Sequence, residues 1–276
     1  MANTSDPAWS VNAAAIAALR LQQARTALER GDPQAAIVEA EELLDVEPDN
    51  PEALLLVGDA ALEMADPPGA HAAYQRYVEL HPDDPVALSG LAVACFELTL
   101  LEQCVEAAQK AVGLDTHLAE SWYFLGMALE RLGHPGPAQD AFRRAARLDP
   151  DAYPLVTPLS DVAWDAALDE AMQMLPVDLR SWYLQVPLRI EWYPTLADLR
   201  AVHPPLPPTS SALYDGVPPD EGDPWKAPPS AVRLYRGNLQ RVAALEGDLP
   251  LRIAEALRHE ALDWLALPAD ALPLSL

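Results

Sequence analysis

Residues 119–152 read AESWYFLGMALERLGHPGPAQDAFRRAARLDPDA, and the outline of this stretch recurs through the first half of the chain. Four of its residues have counterparts 68 residues earlier, which is two periods of 34: Gly126, Ala138, Phe142 and Pro150 match Gly58, Ala70, Tyr74 and Pro82. Two looser copies keep the same phase. A small residue, an aromatic residue and a closing proline at this spacing are typical of paired antiparallel helices that stack in series.

The pattern resembles the tetratricopeptide repeat (TPR) family. The fold class that it predicts is an all-α solenoid of four repeats over residues 1–152, placed as follows: 17–50, 51–84, 85–118 and 119–152. The small residues are explained by close helix crossings, where there is little room for a side chain. Asn50 and Asp84, each followed by a proline, are predicted to cap helices that begin at the next residue.

Composition narrows the classes of partner. The chain of 276 residues has 42 acidic and 18 basic side chains, for a net charge of −24. Such a surface repels phosphate backbones and favours basic partners, so we expect no nucleic-acid partner. No apolar run approaches the ~18 residues of a membrane span, so we expect no membrane insertion. Cys95 and Cys104 fall on packing positions of the third repeat, which predicts buried reduced thiols and a cytoplasmic location.

The first helix of each repeat is expected to line a concave groove. The predicted protein-binding residues in this groove, called the groove residues below, are Leu55, Asp59, Leu62, Val93, Phe96, Tyr123, Met127 and Glu130. An apolar floor with acidic flanks favours an amphipathic or basic segment of a partner protein. The open alternative is that residues 153–276 of the same chain fill the groove. TPR domains that bind a carboxylate carry several basic groove residues, and this chain has only Arg25, so that role is not expected.

The second half of the chain loses the repeat. Its patterns predict a helix over 160–175, a strand over Leu188–Trp192, a proline-rich surface loop over 203–229 and a strand over Val232–Arg236. Asp248 is predicted to cap a final helix that runs to about Leu265. These elements indicate a small α+β domain over residues 153–276.

Several motifs in this half resemble a family of minimal zincin-like metallopeptidases. They are Ala167-Leu168, Leu175-Pro176, Leu213-Tyr214-Asp215-Gly216, Val232-Arg233-Leu234-Tyr235-Arg236 and His259-Glu260. In that family the final helix reads His-Glu-x-x-His, and its two His and a later Asp hold zinc while the Glu activates water. The resemblance implies Glu260 as the catalytic base and a peptide pairing with the strand over 232–236.

This chain departs from the family motif at the expected zinc ligands. Asp263 occupies the place of the second His, and Ala269 that of the late Asp, with Asp270 following it. The ligand set that the resemblance implies is therefore His259, Asp263 and Asp270. Its extra carboxylates make metal-bound water a weaker acid, which works against peptide hydrolysis at neutral pH. Two alternatives stay open for the cofactor: bound zinc, or no metal.

Three hypotheses follow from the sequence. The first is a TPR interaction scaffold whose zincin-like domain has lost catalysis and serves as a binding surface. The second is an active metal-dependent peptidase with Glu260 as base, whose substrates the groove recruits. The third is a structural adaptor in which residues 153–276 only cover the last repeat. The intact repeats and the altered metal motif favour the first.

Overall fold

The chain folds into two compact units. In this computed structural model, residues 7–201, 206–219 and 222–274 are described, with the side chains of 7–13 left aside. The first unit ends at Leu148 and the second begins at Asp149. The division lies four residues before the end of the last predicted repeat.

The first unit consists of four antiparallel helix pairs. The helices are α1 Pro7–Glu29, α2 Pro33–Leu44, α3 Pro51–Glu63, α4 Pro67–Leu80, α5 Pro85–Glu97, α6 Leu101–Leu114, α7 Ala119–Arg131 and α8 Pro135–Leu148. The second, third and fourth pairs start 34 residues apart, as the repeat predicts. Helix α1 is longer than its counterparts, since it begins ten residues before the first predicted repeat.

Helix starts follow the predicted caps and turns. The Asn50 side chain accepts a hydrogen bond from the amide of Ala53, and the Asp84 side chain accepts from the amides of Val86 and Ala87. The turn inside each pair contains a residue with positive φ, again at intervals of 34: Gly31, Ala65, Thr99 and Gly133, with φ values of 71°, 53°, 59° and 80°. Two of these four are not glycine, so their left-handed backbone is held by the surrounding structure at a local cost.

Aromatic rings of the second helices pack on glycines of the first helices. A Cβ built on Gly126 would lie 2.7 Å from the ring of Phe142. Tyr74 contacts glycines in two helices, because a Cβ would lie 2.8 Å from its ring at Gly58 and 2.4 Å at Gly90. The repeated glycines are therefore required by close contact with an aromatic ring.

The first helices form a continuous layer. Helix α3 contacts both α1 and α5, and α5 contacts α7, so the surface predicted to be the groove is built from successive first helices. Cys95 and Cys104 are both buried and unpaired with each other, which confirms the predicted free thiols.

The second unit contains more elements than the sequence indicated. They are α9 Asp161–Met174, α10 Val177–Tyr183, β1 Leu188–Glu191, α11 Leu196–Leu199, β2 Ala212–Asp215, β3 Ala231–Tyr235, α12 Arg236–Glu246 and α13 Leu249–Trp264, with a short 3-10 helix at Pro224–Lys226. The α+β class is confirmed. Helices α10 and α12 were missed because each is short and continues directly from a strand or a proline turn.

The prediction of one loop over 203–229 is wrong where the structure describes it. Strand β2 lies inside this range and pairs antiparallel with β3, with Leu213 opposite Arg233. Four residues between proline-rich segments are too few to give a recognisable strand pattern. The strand is evident only from its pairing with β3. Residues 203–205 and 220–221 of the predicted loop lie outside the described residues.

The sheet has the order β1-β3-β2, with β1 parallel to β3. Strand β3, which the resemblance assigned to peptide pairing, is the central strand, and its backbone groups are paired on both sides. The expectation that a peptide pairs with β3 is therefore wrong. Among the described residues, β2 is the strand beside α13 that has an unpaired edge. Helix α13 contacts β2, β3 and α9, and its residues Ile253, Leu257 and Ala261 are fully buried in the core of this unit.

Within the described part of the chain, no helix is long and apolar enough to cross a membrane.

The contact between Tyr74 and Gly90 gives a stability prediction. Gly90→Ala is expected to lower the free energy of unfolding by about 1–3 kcal/mol, because overpacking outweighs the gain in helix propensity. The matched control is Gly113→Ala in α6, where an added Cβ meets nothing within 4 Å and a gain of up to about 1 kcal/mol is expected. Urea unfolding followed by circular dichroism measures both. Equal effects of the two substitutions would contradict the packing argument.

Candidate functional site

A cleft of about 1020 Å³ lies in the second unit, between β2 and α13. Its walls include segment 206–211, the residues of β2 and the helix residues His259, Glu260 and Asp263. Three of the four residues that the resemblance implied therefore line one cavity. They are brought together because 259 and 263 are one helical turn apart and 260 is adjacent.

Glu260 is buried beside β2. Its Oε2 accepts a hydrogen bond of 2.9 Å from the amide of Tyr214, and the residue is 8% exposed. Burial raises the pKa of Glu260 to about 7, and the nearby Asp263 adds to the rise, while the Tyr214 amide opposes it. A carboxyl group with a pKa near neutrality is suited to proton transfer. In this structure, however, one of its oxygens is engaged with the free edge of the sheet.

His259 and Asp263 form a pair on the exposed face of α13. The distance from His259 Nε2 to Asp263 Oδ2 is 3.6 Å, and the side chains are 73% and 55% exposed. This spacing reproduces the first two positions of the predicted ligand set.

Asp270 is not part of the cleft. The segment that follows α13 is held by Arg258, whose guanidinium donates to the carbonyls of Ala271 and Leu272 at 2.7 Å and also to that of Ala269. Successive helix residues are rotated by about 100°, so Arg258 and Glu260 point to nearly opposite sides of α13. The tail is therefore tied on the side away from Glu260, and Asp270 is an exposed residue of that tail.

The donor atoms in the cleft do not match those that zinc requires. A catalytic zinc site uses three protein ligands, most often nitrogen from His. Among the described residues, no group of three or more His, Cys, Asp or Glu side chains is arranged to hold a metal ion. The cleft offers one imidazole and one adjacent carboxylate, with Glu260 turned toward Tyr214. The residues present therefore do not assemble the predicted set, and the metal role of His259, Asp263 and Asp270 stays a prediction.

The other shared motifs hold the unit together. Arg233 on β3 binds Asp198 at 2.5 Å and Asp215 at 2.8 Å, joining α11 and β2 to the central strand. Arg236 binds Asp161 at 2.7 Å, and its guanidinium lies over the ring of Trp164. Arg233 and its two carboxylates are largely buried, so these ion pairs serve the structure of the unit, whereas Asp161 is 93% exposed.

The groove residues divide by exposure. Asp59 is exposed, and Leu55, Leu62, Val93, Tyr123 and Glu130 are partly buried, so all six lie at the surface. Phe96 and Met127 are 0% and 1% exposed, so their assignment to the groove floor is wrong. The reason is close packing between α5 and α7, which places the Phe96 ring 5.5 Å from that of Phe124. Arg25, the basic residue predicted in this region, forms an ion pair with Glu52.

Tyr74 is buried, but the sequence pattern did not reveal the role of its hydroxyl group. It was assigned to packing alone, yet its hydroxyl reaches the groove and donates a hydrogen bond of 2.5 Å to Asp59. The signal was the choice of tyrosine at a position where the fourth repeat has Phe142. A hydroxyl on an otherwise buried ring needs a polar partner.

Comparisons with known families agree with both units. A tetratricopeptide repeat model matches residues 21–85 and 58–119, and a second tetratricopeptide repeat model matches residues 119–152. A zincin-like metallopeptidase model matches residues 184–271. A search of curated proteins found no match.

Three of the solved structures that are similar to this chain cover between 36% and 58% of it. A crystal structure of MamA protein is 24% identical, with 49% of this chain and 74% of that chain covered and a TM-score of 0.47. Pseudomonas aeruginosa PilF is 17% identical, with 58% and 68% covered and a TM-score of 0.44. The Arabidopsis OM64 TPR domain is 25% identical, with 36% and 83% covered and a TM-score of 0.35.

Burial of Glu260 predicts a pH dependence of stability. The folded-state pKa of Glu260 is above its ordinary value, so the folded protein binds this proton more tightly than the unfolded chain does. The resulting stabilisation is fully present below the unfolded pKa and is lost as pH rises through about 7. Between about pH 5 and pH 8, wild type should lose up to about 3 kcal/mol relative to Glu260→Gln, which keeps an acceptor for Tyr214 but does not titrate.

Urea unfolding followed by tryptophan fluorescence measures this difference. The signal reports mainly the second unit, because five of the seven tryptophans lie there. Carboxylates that do not interact with Glu260 titrate equally in both proteins and cancel in the comparison. A difference that stays constant over this pH range would show that Glu260 is not buried as described.

Proposed function

Because the chain is a tetratricopeptide-repeat protein that carries a zincin-like domain, we propose that it is an interaction scaffold whose C-terminal domain is catalytically impaired and serves as a binding surface. One observation carries the proposal. Among the residues that the structure describes, the cleft side of α13 presents His259 and Asp263 without a third ligand. The reason is that Arg258 ties the tail that holds Asp270 on another side of the helix.

The chemistry of the pair supports impairment. Zinc in this family would act as a Lewis acid and as a source of hydroxide, which requires a firmly held ion. A single imidazole and one exposed carboxylate on one helix form an incomplete donor set. An ion held by so few ligands is not firmly bound, which works against hydrolysis.

The cleft itself is well suited to binding an extended peptide. Within the described residues, strand β2 pairs only with β3, and its other edge faces the cleft. One amide on that edge already has a hydrogen-bond acceptor in Glu260. A peptide that adds to this edge would replace Glu260 as the hydrogen-bond acceptor of the Tyr214 amide. The surface is thus retained even where catalysis is lost.

A second candidate function is an active metal-dependent peptidase with Glu260 as general base. The observation that favours it is the position of a buried carboxyl group, with a pKa of about 7, in the wall of the cleft between β2 and α13. A purely structural adaptor remains the third hypothesis, and it predicts that neither the cleft nor the groove binds a partner.

For the first unit, we propose that the groove binds a basic or amphipathic segment of another protein. Asp59 and Glu130 supply acidic flanks, and Leu55, Leu62 and Val93 supply partly exposed apolar contacts. The alternative occupant is the second half of the same chain. A cytoplasmic location stays our prediction, supported by the buried free thiols of Cys95 and Cys104.

Metal content and proteolysis test the proposed impairment. Full-length protein dialysed after loading with zinc is expected to retain much less than one zinc per chain by elemental mass spectrometry. It is also expected to cleave casein no faster than Glu260→Gln, because the donor set does not hold the ion. Stoichiometric zinc together with activity that disappears in Glu260→Gln would establish the peptidase instead.

Binding of synthetic helical peptides tests the groove. A peptide with leucine on one face and lysine on the other should bind the full-length chain more tightly than its leucine and glutamate counterpart, with an affinity that falls as salt is raised. Fluorescence anisotropy measures both. Val93→Arg in the groove should weaken the lysine peptide several-fold, whereas Val38→Arg on α2, exposed outside the groove, should not. No binding of either peptide would favour a groove filled by the chain itself.

A further inference from the structure

A second cavity lies in the first unit, on the layer formed by the first helices. Its volume is about 360 Å³, and its lining includes Asp59, Leu62, Tyr74, Val86, Ser89 and Glu120 from four different helices. We call it the Asp59–Glu120 pocket. The pocket combines apolar walls with two carboxylates. The sequence alone does not indicate that these residues share one cavity.

Both carboxylates are held in place by hydroxyl groups. The Tyr74 hydroxyl donates to Asp59 Oδ1 at 2.5 Å. On the other side, Ser121 donates to Ser89 at 2.8 Å, and Ser89 donates to Glu120 Oε2 at 3.1 Å. Ser89 and Ser121 are buried, so this chain of hydroxyl groups is part of the packed structure. Ordered neighbours of this kind pre-organise a binding site.

Neither carboxylate is neutralised within the described residues. No Lys or Arg side chain there pairs with Asp59 or Glu120, although Arg25 neutralises the neighbouring Glu52. His117 lies at the rim, but its Nδ1 is 3.3 Å from Asp115. Burial, and then Asp59 and Glu120, raise the pKa of Tyr74 well above its usual value, so its hydroxyl stays neutral and cannot act as a third anion. The pocket therefore keeps two negative charges that face its interior.

We propose that the Asp59–Glu120 pocket receives a lysine or arginine side chain from the protein segment bound in the groove. Such a side chain has an apolar stem that suits Leu62 and Val86 and a cationic end that suits the two carboxylates. This inference rests on the proposed groove function and makes it specific, since it assigns one cationic side chain of the partner to one place between α3, α5 and α7.

Disulfide tethering tests the pocket without knowledge of the partner. Val86 is 65% exposed at the rim, so Val86→Cys introduces an accessible thiol, while Cys95 and Cys104 are buried and burial raises the pKa of Cys95 to about 12. Full-length protein is equilibrated with cystamine, which adds a short cation, and separately with hydroxyethyl disulfide, which adds a neutral group of similar size. Intact mass spectrometry gives the fraction of each mixed disulfide, and their ratio is the preference for a cation.

The diffuse charge of the acidic chain requires a matched control. Val46 is 74% exposed in a turn between Asp45 and Glu47, so Val46→Cys places a thiol beside two carboxylates that do not line this pocket. The cystamine preference is expected to be roughly fivefold larger for Val86→Cys than for Val46→Cys, which is the scale of a well-placed ion pair. Adding Asp59→Asn and Glu120→Gln, which keep both hydrogen-bond acceptors, should reduce the Val86→Cys preference to that of the control.

Equal preferences at the two thiols, or a preference at Val86→Cys that survives the loss of both carboxylates, would overturn the proposal. Melting curves identify any variant that fails to fold, and the single substitutions Asp59→Asn and Glu120→Gln then supply the comparison, each expected to remove about half of the effect in free energy. If tethering fails while the lysine peptide still binds, only this pocket is refuted. If tethering succeeds while the peptide does not bind, the pocket holds and the general groove function fails.

Discussion

The first unit depends on contacts in which an aromatic ring packs against a glycine in a neighbouring helix. Tyr74 reaches the surfaces of α3 and α5 only because Gly58 and Gly90 leave room for its ring, and Phe142 does the same at Gly126. This approach brings consecutive helix pairs together and creates a layer of first helices. The same ring then carries a hydroxyl to Asp59, so one residue both closes the packing and orients a charge in the groove.

In the second unit, a small sheet is held by charges rather than by strand length. Four or five residues per strand bury little surface, and the ion pairs of Arg233 join β3 to α11 and β2. Arg236, at the start of α12, pairs with Asp161 of α9. Helix α13 packs under this sheet through its apolar face and presents Glu260 to the strand edge. The cleft is thus a consequence of the way the helix and the sheet meet.

Sequence reasoning succeeded where a pattern was long and failed where it was short. The family resemblance implied His259, Glu260 and Asp263 as site residues, and they do line one cleft, because residues four apart are neighbours on a helix. It could not place Asp270, since the path of the tail is decided by Arg258 and by three backbone carbonyls. Phe96 and Met127 were assigned to the groove by repeat position, but the approach of α7 to α5 buries them. Strand β2 was missed because its four residues are a strand only through pairing with β3.

The amino-acid sequence by itself determined the repeat length, the order of the helix pairs, the caps at Asn50 and Asp84 and the altered metal motif on α13. Each of these is a local property, set by periodicity or by the identity of one side chain. Only the tertiary structure decided which strand has a free edge, which carboxylates share a cavity and which groove residues reach the surface. Those features join residues distant in the chain, such as Asp59 with Glu120 or Tyr214 with Glu260, and their positions follow from packing between elements.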